Sequence, residues 1–328
     1  MQHHSAPRSA SIASPGAVWR LAFAAALGLF LAAEAAAASA EHLYVAYSSP
    51  AAIVRYPLAN GIPQAPDWMY NARTLPTGLA IDAQGTLYAA QFAKIDVYAK
   101  SDRKPSSAID IPQDEACSDG VGTYTNTIAM NSAGFLLASI DNFFSGIRAT
   151  DVRSNVQLIC RGIIAFAPGA RGHAVPVNIF RLMGHGFTGS AFDRADNLYV
   201  TDSALERIYE FSHPVKQQQL VRTIAIPDIS VFSGLTTDAA DELYAFAPSA
   251  SRDAIDVYTA TQNGHTPPAR RLLFPKSTIP WGSISVAGRF LYVSAYGAIE
   301  IYRADSRGPL APVFTLPAFS NLTLAVGP

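Results

Sequence analysis

The sequence predicts an all-β fold: a six-bladed β-propeller of four-stranded blades, its ring closed by pairing of the C-terminal strand with the N-terminal blade. One strand-rich unit recurs six times at a spacing of about 45 to 50 residues, which is propeller spacing. The copies at the two ends are incomplete in complementary ways.

The first strand of each unit is a Gly- or Ser-led apolar run closed by Asp or Asn. Its clearest copies are residues 77–82, 188–193 and 233–238, with looser ones at 126–131 and 281–286. Asp82, Asn131, Asp193 and Asp238 recur at the turn that follows. Asx side chains bond the backbone two residues on, so turn formation accounts for them without any catalytic role. The second strand opens at Leu43, Leu87, Leu136, Leu198, Leu243 and Leu291, followed by Tyr in all but one copy. The third reads Ile-x-apolar-aromatic at 53–56, 95–98, 163–166, 208–211, 255–258 and 299–302, with the alternation expected of strands. A fourth strand is expected to end at a proline in five copies, Pro76, Pro112, Pro227, Pro275 and Pro317, because proline removes a ladder donor at an outer edge.

Residues 43–45 supply a second strand with no first, and residues 320–325 a first strand with nothing after it. Joined, they complete one blade and satisfy strand edges that would otherwise invite aggregation. A β-sandwich or an open solenoid would not explain a unit split between the two ends.

Residues 1–40 read as a signal peptide and 41–328 as the propeller. Arg8 and Arg20 flank a polar leader, an apolar stretch covers 21–33, and Ala38-Ser39-Ala40 is a small-x-small cleavage site. A membrane anchor is the alternative, but the run is short for a bilayer. Cleavage after Ala40 implies a periplasmic or secreted protein with no membrane span thereafter. With 24 Lys+Arg against 25 Asp+Glu and no basic tract, nucleic acid is excluded as a partner. Cys117 and Cys160 are the two cysteines, with no CxxC or Cys/His cluster to bind zinc.

Residues 196–202 (Asp-Asn-Leu-Tyr-Val-Thr-Asp) and 207–211 (Arg-Ile-Tyr-Glu-Phe) resemble the NHL repeat. The resemblance implies a six-bladed propeller related in shape to SMP-30-like gluconolactonases, to paraoxonase-like lactonases and to non-catalytic binding modules. Shape does not choose among these functions.

Propeller topology puts the second-to-third and blade-to-blade connections on one face. From the Tyr-type residue to the third-strand Ile the separation is 7 to 11 residues in five units and 26 in the third. The connection from Pro112 to Asn126 is also extended, and each extension carries one cysteine. An oxidising compartment and this shared face predict a Cys117–Cys160 disulfide. Long loops on a rigid scaffold are either functional or tolerated insertions. Around the channel mouth on this face the candidate ligand-binding residues are Asn126, Asp141, His185, Phe187, Asp202, Phe232, Trp281, Phe319 and Asn321. Aromatic and scattered polar groups suit a small molecule, glycan, peptide or protein, although inter-blade packing is the plainer account of the Phe residues. No catalytic residue is assigned and no cofactor is expected. A metal-dependent lactonase is the alternative, and Ca²⁺ belongs to it alone. Calcium takes six to eight hard oxygens, and Tyr47 and Gln91 at the positions matching Asp202 are weak ligands.

Overall fold

The period-two runs are strands in the computed structural model. It describes residues 41–48, 51–72, 74, 76–112, 124–141, 162–180, 187–202, 205–216, 219–226, 234–247, 253–275, 280–318 and 321–328. The expected signal peptide, Cys117 and Cys160 lie outside these residues. Among the described residues no helix is long and apolar enough to cross a membrane.

Six antiparallel sheets make six blades. Blade one holds β1 (His42–Ser48), β2 (Ala51–Ala59), the two-residue β3 (Ile62–Pro63) and β4 (Trp68–Asn71). Blade two is β5 (Gly78–Ile81), β6 (Leu87–Gln91), β7 (Lys94–Tyr98) and β8 (Ser107–Asp110). Blade three is β9 (Tyr124–Met130), β10 (Leu136–Asp141), β11 (Gly162–Phe166) and β12 (Asn178–Phe180). Blade four is β13 (Phe187–Phe192), β14 (Leu198–Asp202), β15 (Arg207–Ser212) and β16 (Gln219–Ala225). Blade five is β17 (Leu235–Thr237), β18 (Leu243–Ala247), β19 (Ala254–Tyr258) and β20 (Arg270–Leu273). Blade six begins with β21 (Pro280–Ala287), β22 (Phe290–Ala295) and β23 (Ala298–Arg303). Its short β24 (Gly308–Pro309) lies along β20, and β25 (Phe314–Pro317) is its outer strand.

The last strand, β26 (Asn321–Gly327), becomes the inner strand of blade one. It pairs antiparallel with β1 from His42↔Gly327 to Tyr47↔Asn321, with one bulge. The inner strands also pack on one another all the way round, ending with β26 against β5. Hydroxyls tie them across blades: Thr127 to Ser190 at 3.0 Å, Thr237 to the Phe192 carbonyl at 2.6 Å, and Ser283 to the Leu324 N–H at 3.0 Å. A Cβ at Gly78 would meet the Ile128 backbone nitrogen of the next inner strand at 3.0 Å, so this approach at the axis needs glycine.

The repeated Asx residues form turns as expected. Asp82, Asn131, Asp193 and Asp238 each accept backbone N–H groups of their own turn at 2.7–3.0 Å. Their link to the Leu-Tyr dipeptide is an addition: the hydroxyls of Tyr199 and Tyr244 donate to Asp193 and Asp238 at 3.2 and 3.1 Å. At the left-handed position of this turn, blades two and three have Gly85 and Gly134, whereas blades four and five have Asp196 and Asp241, both at φ 59°. That conformation costs an L-residue about 1–2 kcal/mol. It is offset because Asp196 receives the Ser132 N–H and hydroxyl, and Asp241 receives Arg194, each from the preceding blade's turn.

The prolines differ from expectation. Only Pro317 stands within its fourth strand; Pro76, Pro112 and Pro275 follow β4, β8 and β20, and Pro227 is outside the described residues. Ladder bonding persists one residue past two strands, from Ile111 N–H to Ala93 and from Phe274 N–H to Asp253. Proline comes next, at the first position where no donor is required.

Two further devices join neighbouring blades. Buried arginines reach from one blade to the turn after the next blade's third strand. Arg222 donates to the Thr259 and Gln262 carbonyls while paired with Glu210 and Tyr199. Arg270 likewise reaches the Ala304 and Ser306 carbonyls while paired with Glu242 and Tyr244. At the rim, the connection before the next blade's fourth strand lays a short parallel bridge on the outer strand: Gly172 on Ile109, Gly264 on Ile224, and Gly308 on Leu272. These bridges cover strand edges.

The tyrosines give stability a pH limit. Burial pushes the hydroxyls of Tyr70 and Tyr244 up to about 12, and raises those of Tyr44, Tyr88, Tyr199, Tyr258 and Tyr292 as well. A raised folded-state pKa gives stability that is complete below the unfolded value near 10 and lost as pH rises through the folded value. Cooperative unfolding is therefore expected between pH about 10 and about 12. Tyrosinate absorbance and circular dichroism should change together. All tyrosines titrating with the ordinary midpoint of about pH 10 while the circular dichroism stays unchanged would contradict this.

Candidate functional site

The face that carries the second-to-third connections is built from the ends of second strands and the starts of third strands. In blade two that edge is a closed polar network. Thr74 donates to Gln91 at 2.7 Å, Gln91 donates to Asp96 at 2.8 Å, and Lys94 pairs with Asp96 at 2.8 Å. Gln91 and Asp96 are each 1% exposed. These groups satisfy one another, as buried polar groups must.

Asp202 occupies the matching place in blade four. It is fully buried, accepts the Leu205 N–H at 3.1 Å, and stands opposite Phe187 and Arg207 in its sheet. It also neighbours Tyr209, whose hydroxyl is raised first by burial and then by the Asp202 charge. Asp202 therefore terminates a strand and helps set the following turn.

Phe187 is buried between blades three and four, among Leu137, Ile163, Ala165, Leu198, Val200 and Phe211. This is the inter-blade packing alternative of the sequence reading. Hydroxyls at the starts of inner strands make strand bonds: Thr77, just before β5, donates to the Thr125 carbonyl, and Thr188 in β13 bonds Thr201 at 3.1 Å. Asn126, Asp141, Trp281 and Asn321 are placed through their backbones, in β9, β10, β21 and β26. Asp141 pairs with Tyr124 and Asn321 with Tyr47. His185, Phe232 and Phe319 lie outside the described residues.

Three apolar residues that the sequence reading passed over stand exposed on second-to-third connections of this face. Phe92 is 49% exposed, Leu205 43% and Tyr296 72%. Their signal was available, since each follows the end of a second strand by one to three residues in an otherwise short connection. Among the described residues no three His, Cys, Asp or Glu side chains stand together as a metal site. Asp96 and Asp202 alone fall well short of the oxygen shell that calcium needs.

No protein-family model and no curated protein sequence matches the chain. Solved structures do resemble it in shape. A Bacteroides fragilis protein provisionally assigned as a 6-phosphogluconolactonase is 12% identical at a TM-score of 0.60, over 89% of this chain and 99% of that one. A Bacteroides caccae protein of unknown function is 12% identical at 0.58, over 88% and 99%. The Cps50 (Swd1) β-propeller domain of Myceliophteria thermophila is 11% identical at 0.50, over 84% and 82%. At such identities these likenesses show the fold, which is that of a β-propeller.

Proposed function

We propose that this chain is an exported, NHL-like propeller acting as a binding module. Its ligand, a small molecule, glycan, peptide or protein, docks on the face bearing the second-to-third connections. One observation carries this reading. On that face the apolar side chains of Phe92, Leu205 and Tyr296 stand exposed, while Asp96 and Asp202 are buried. Exposed aromatic groups on a rigid rim offer contact area at low entropic cost, which suits a binding surface. Asn126, Asp141, His185, Trp281, Phe232, Phe319 and Asn321 would complete the face.

Glycan and peptide arrays probed with the protein should yield ligands whose binding falls about tenfold or more when Phe92 and Tyr296 are both changed to Ser. The same preparation should contain no stoichiometric calcium and turn over no lactone, so Asn126→Ala and Asp202→Ala should have no activity to lose. Lactone turnover that requires calcium and disappears in those variants would assign the chain to the hydrolases instead, a use of the fold provisionally assigned to two Bacteroides structural neighbours.

The Cys117–Cys160 bridge belongs to the same proposal. It would close 44 residues and, by the chain-entropy model, contribute roughly 4 kcal/mol. Its place at two extended connections suits a strap over the ligand face. Thiol titration of the denatured, unreduced protein should find no free thiol; two would exclude the bridge.

A further inference from the structure

The outer rim of blade four carries a groove of about 430 Å³, lined in part by Arg207, Leu220, Val221, Thr223, Asn263 and His265. That volume is within the range of small-molecule sites. The groove forms where residues 263–265 of blade five lie along β16. Gly264 donates to the Thr223 carbonyl at 2.7 Å, and Ala225 donates back to Gly264 at 2.9 Å.

The same construction occurs between blades two and three, so the two copies can be compared position by position. There Gly172 donates to Ala108 and Asp110 donates to Gly172. The sheet registers pair Lys94 with Asp110 and Arg207 with Ala225. Lys94 thus corresponds to Arg207, His173 to His265, Asp110 to Ala225 and Asp96 to Tyr209. In the blade-two copy each cation faces a carboxylate: Lys94 Nζ is 2.8 Å from Asp96, and His173 Nδ1 is 3.0 Å from Asp110. On the rim of blade five, Arg271 is matched by Asp256 at 2.6 Å. In blade four both basic residues remain, while the two carboxylate positions are occupied by Tyr209 and Ala225.

No residue lining the groove is acidic. Arg222, also at its wall, is already paired with Glu210. Asp202, the cross-strand neighbour of Arg207 at the place Gln91 takes opposite Lys94, is buried and holds the Leu205 N–H, and the Tyr209 hydroxyl lies within reach of both Asp202 and Arg207. Asn263 accepts the Thr223 and Gly264 N–H groups through its oxygen, leaving its NH₂ group as a donor. Leu220 and Val221, each 52% exposed, supply an apolar strip beside these groups.

We propose that this groove binds a small organic carboxylate. Its head group stands between Arg207 and His265, where the blade-two copy holds its own carboxylates, and its short apolar body lies on Leu220 and Val221. An Arg fork meets a carboxylate bidentately, which gives the contact direction as well as charge. The groove lies on the rim and adjoins the ligand face proposed above at Arg207, the first residue of β15.

Calorimetric titration with hexanoate, sulfate and hexanol tests this directly. Hexanoate should saturate one site, hexanol should not bind, and sulfate should bind more weakly than hexanoate. Affinity for hexanoate should fall about tenfold or more in Arg207→Gln. It should fall equally in Ala225→Asp, which restores the blade-two carboxylate and leaves the melting temperature unchanged or higher. If Ala225→Asp does not fold, Arg207→Gln decides alone. Absence of saturable hexanoate binding, undiminished binding in the folded variants, or equal binding of hexanol would overturn the site. Sulfate binding as tightly as hexanoate would overturn the apolar half of the assignment.

Discussion

Deleting residues 318–328 is expected to abolish cooperative folding. The deletion removes β26 and with it the whole inner ladder of blade one, from His42↔Gly327 to Tyr47↔Asn321. Leu43, Tyr44, Val45 and Ala46, all fully buried, would face water along an open edge. Two core clusters would lose members at once: Ala318, Leu324 and Val326 from one, and Ala325 from the other. The Tyr44 hydroxyl would also lose its acceptor, the Pro328 carbonyl at 3.3 Å. A domain holds only about 5–15 kcal/mol of net stability, and the loss of an entire inner strand exceeds that margin. The milder Leu324→Ala should cost about 2–5 kcal/mol and leave a folded protein. Thermal unfolding followed by circular dichroism distinguishes the two. A truncated chain melting within a few degrees of the full protein would mean that blade one does not need its C-terminal strand.

Arg222→Ala is expected to cost about 3–5 kcal/mol, because it strands a buried partner. Both side chains of the Arg222–Glu210 pair are nearly inaccessible, at 5% and 7%. The remaining guanidinium donors go to the Tyr199 hydroxyl at 3.0 Å and to the Thr259 and Gln262 carbonyls at 3.1 and 2.6 Å. The change therefore leaves Glu210 charged without its cation and frees two carbonyls of the neighbouring blade. The double variant Arg222→Met, Glu210→Leu should recover most of the loss, because a buried pair replaced by apolar residues of similar volume is often close to neutral. Urea denaturation of the single and double variants measures both quantities. A single-variant loss below about 1 kcal/mol would show that the clamp is not a buried ion pair in solution.

What the sequence displayed was short-range. The Asp193-to-Tyr199 unit lies within seven residues, so its turn and its strand are visible together, and the same holds for Asp238 and Tyr244. Closure was legible for a different reason: half a unit at each end has one simple completion. The arginine clamps were not legible, because Arg222 finds its carbonyls 37 and 40 residues further on, in another blade. The rim bridges left a trace in the Gly-x-x-x-Pro spacing at 172–176, 264–268 and 308–312, which has meaning only once the outer strands are placed. The ligand face was legible as a face and less so as a site. Loop length points to a side of the ring, but Phe187 at the start of an inner strand reads as mouth or, more plainly, as core, and its position between two blades is core. Asp202 similarly reads as a ligand by type, yet it is buried and caps the turn at Leu205.

The central claim is that the ring is held shut by its own C-terminal strand, and amide hydrogen exchange on the full-length protein tests it most directly. The amides of 321–327 that bond to β1 should exchange only through global unfolding, with the same free energy as those of β6 and β22. Exchange of 321–327 at the rate of a free chain, while the other inner strands stay protected, would contradict closure.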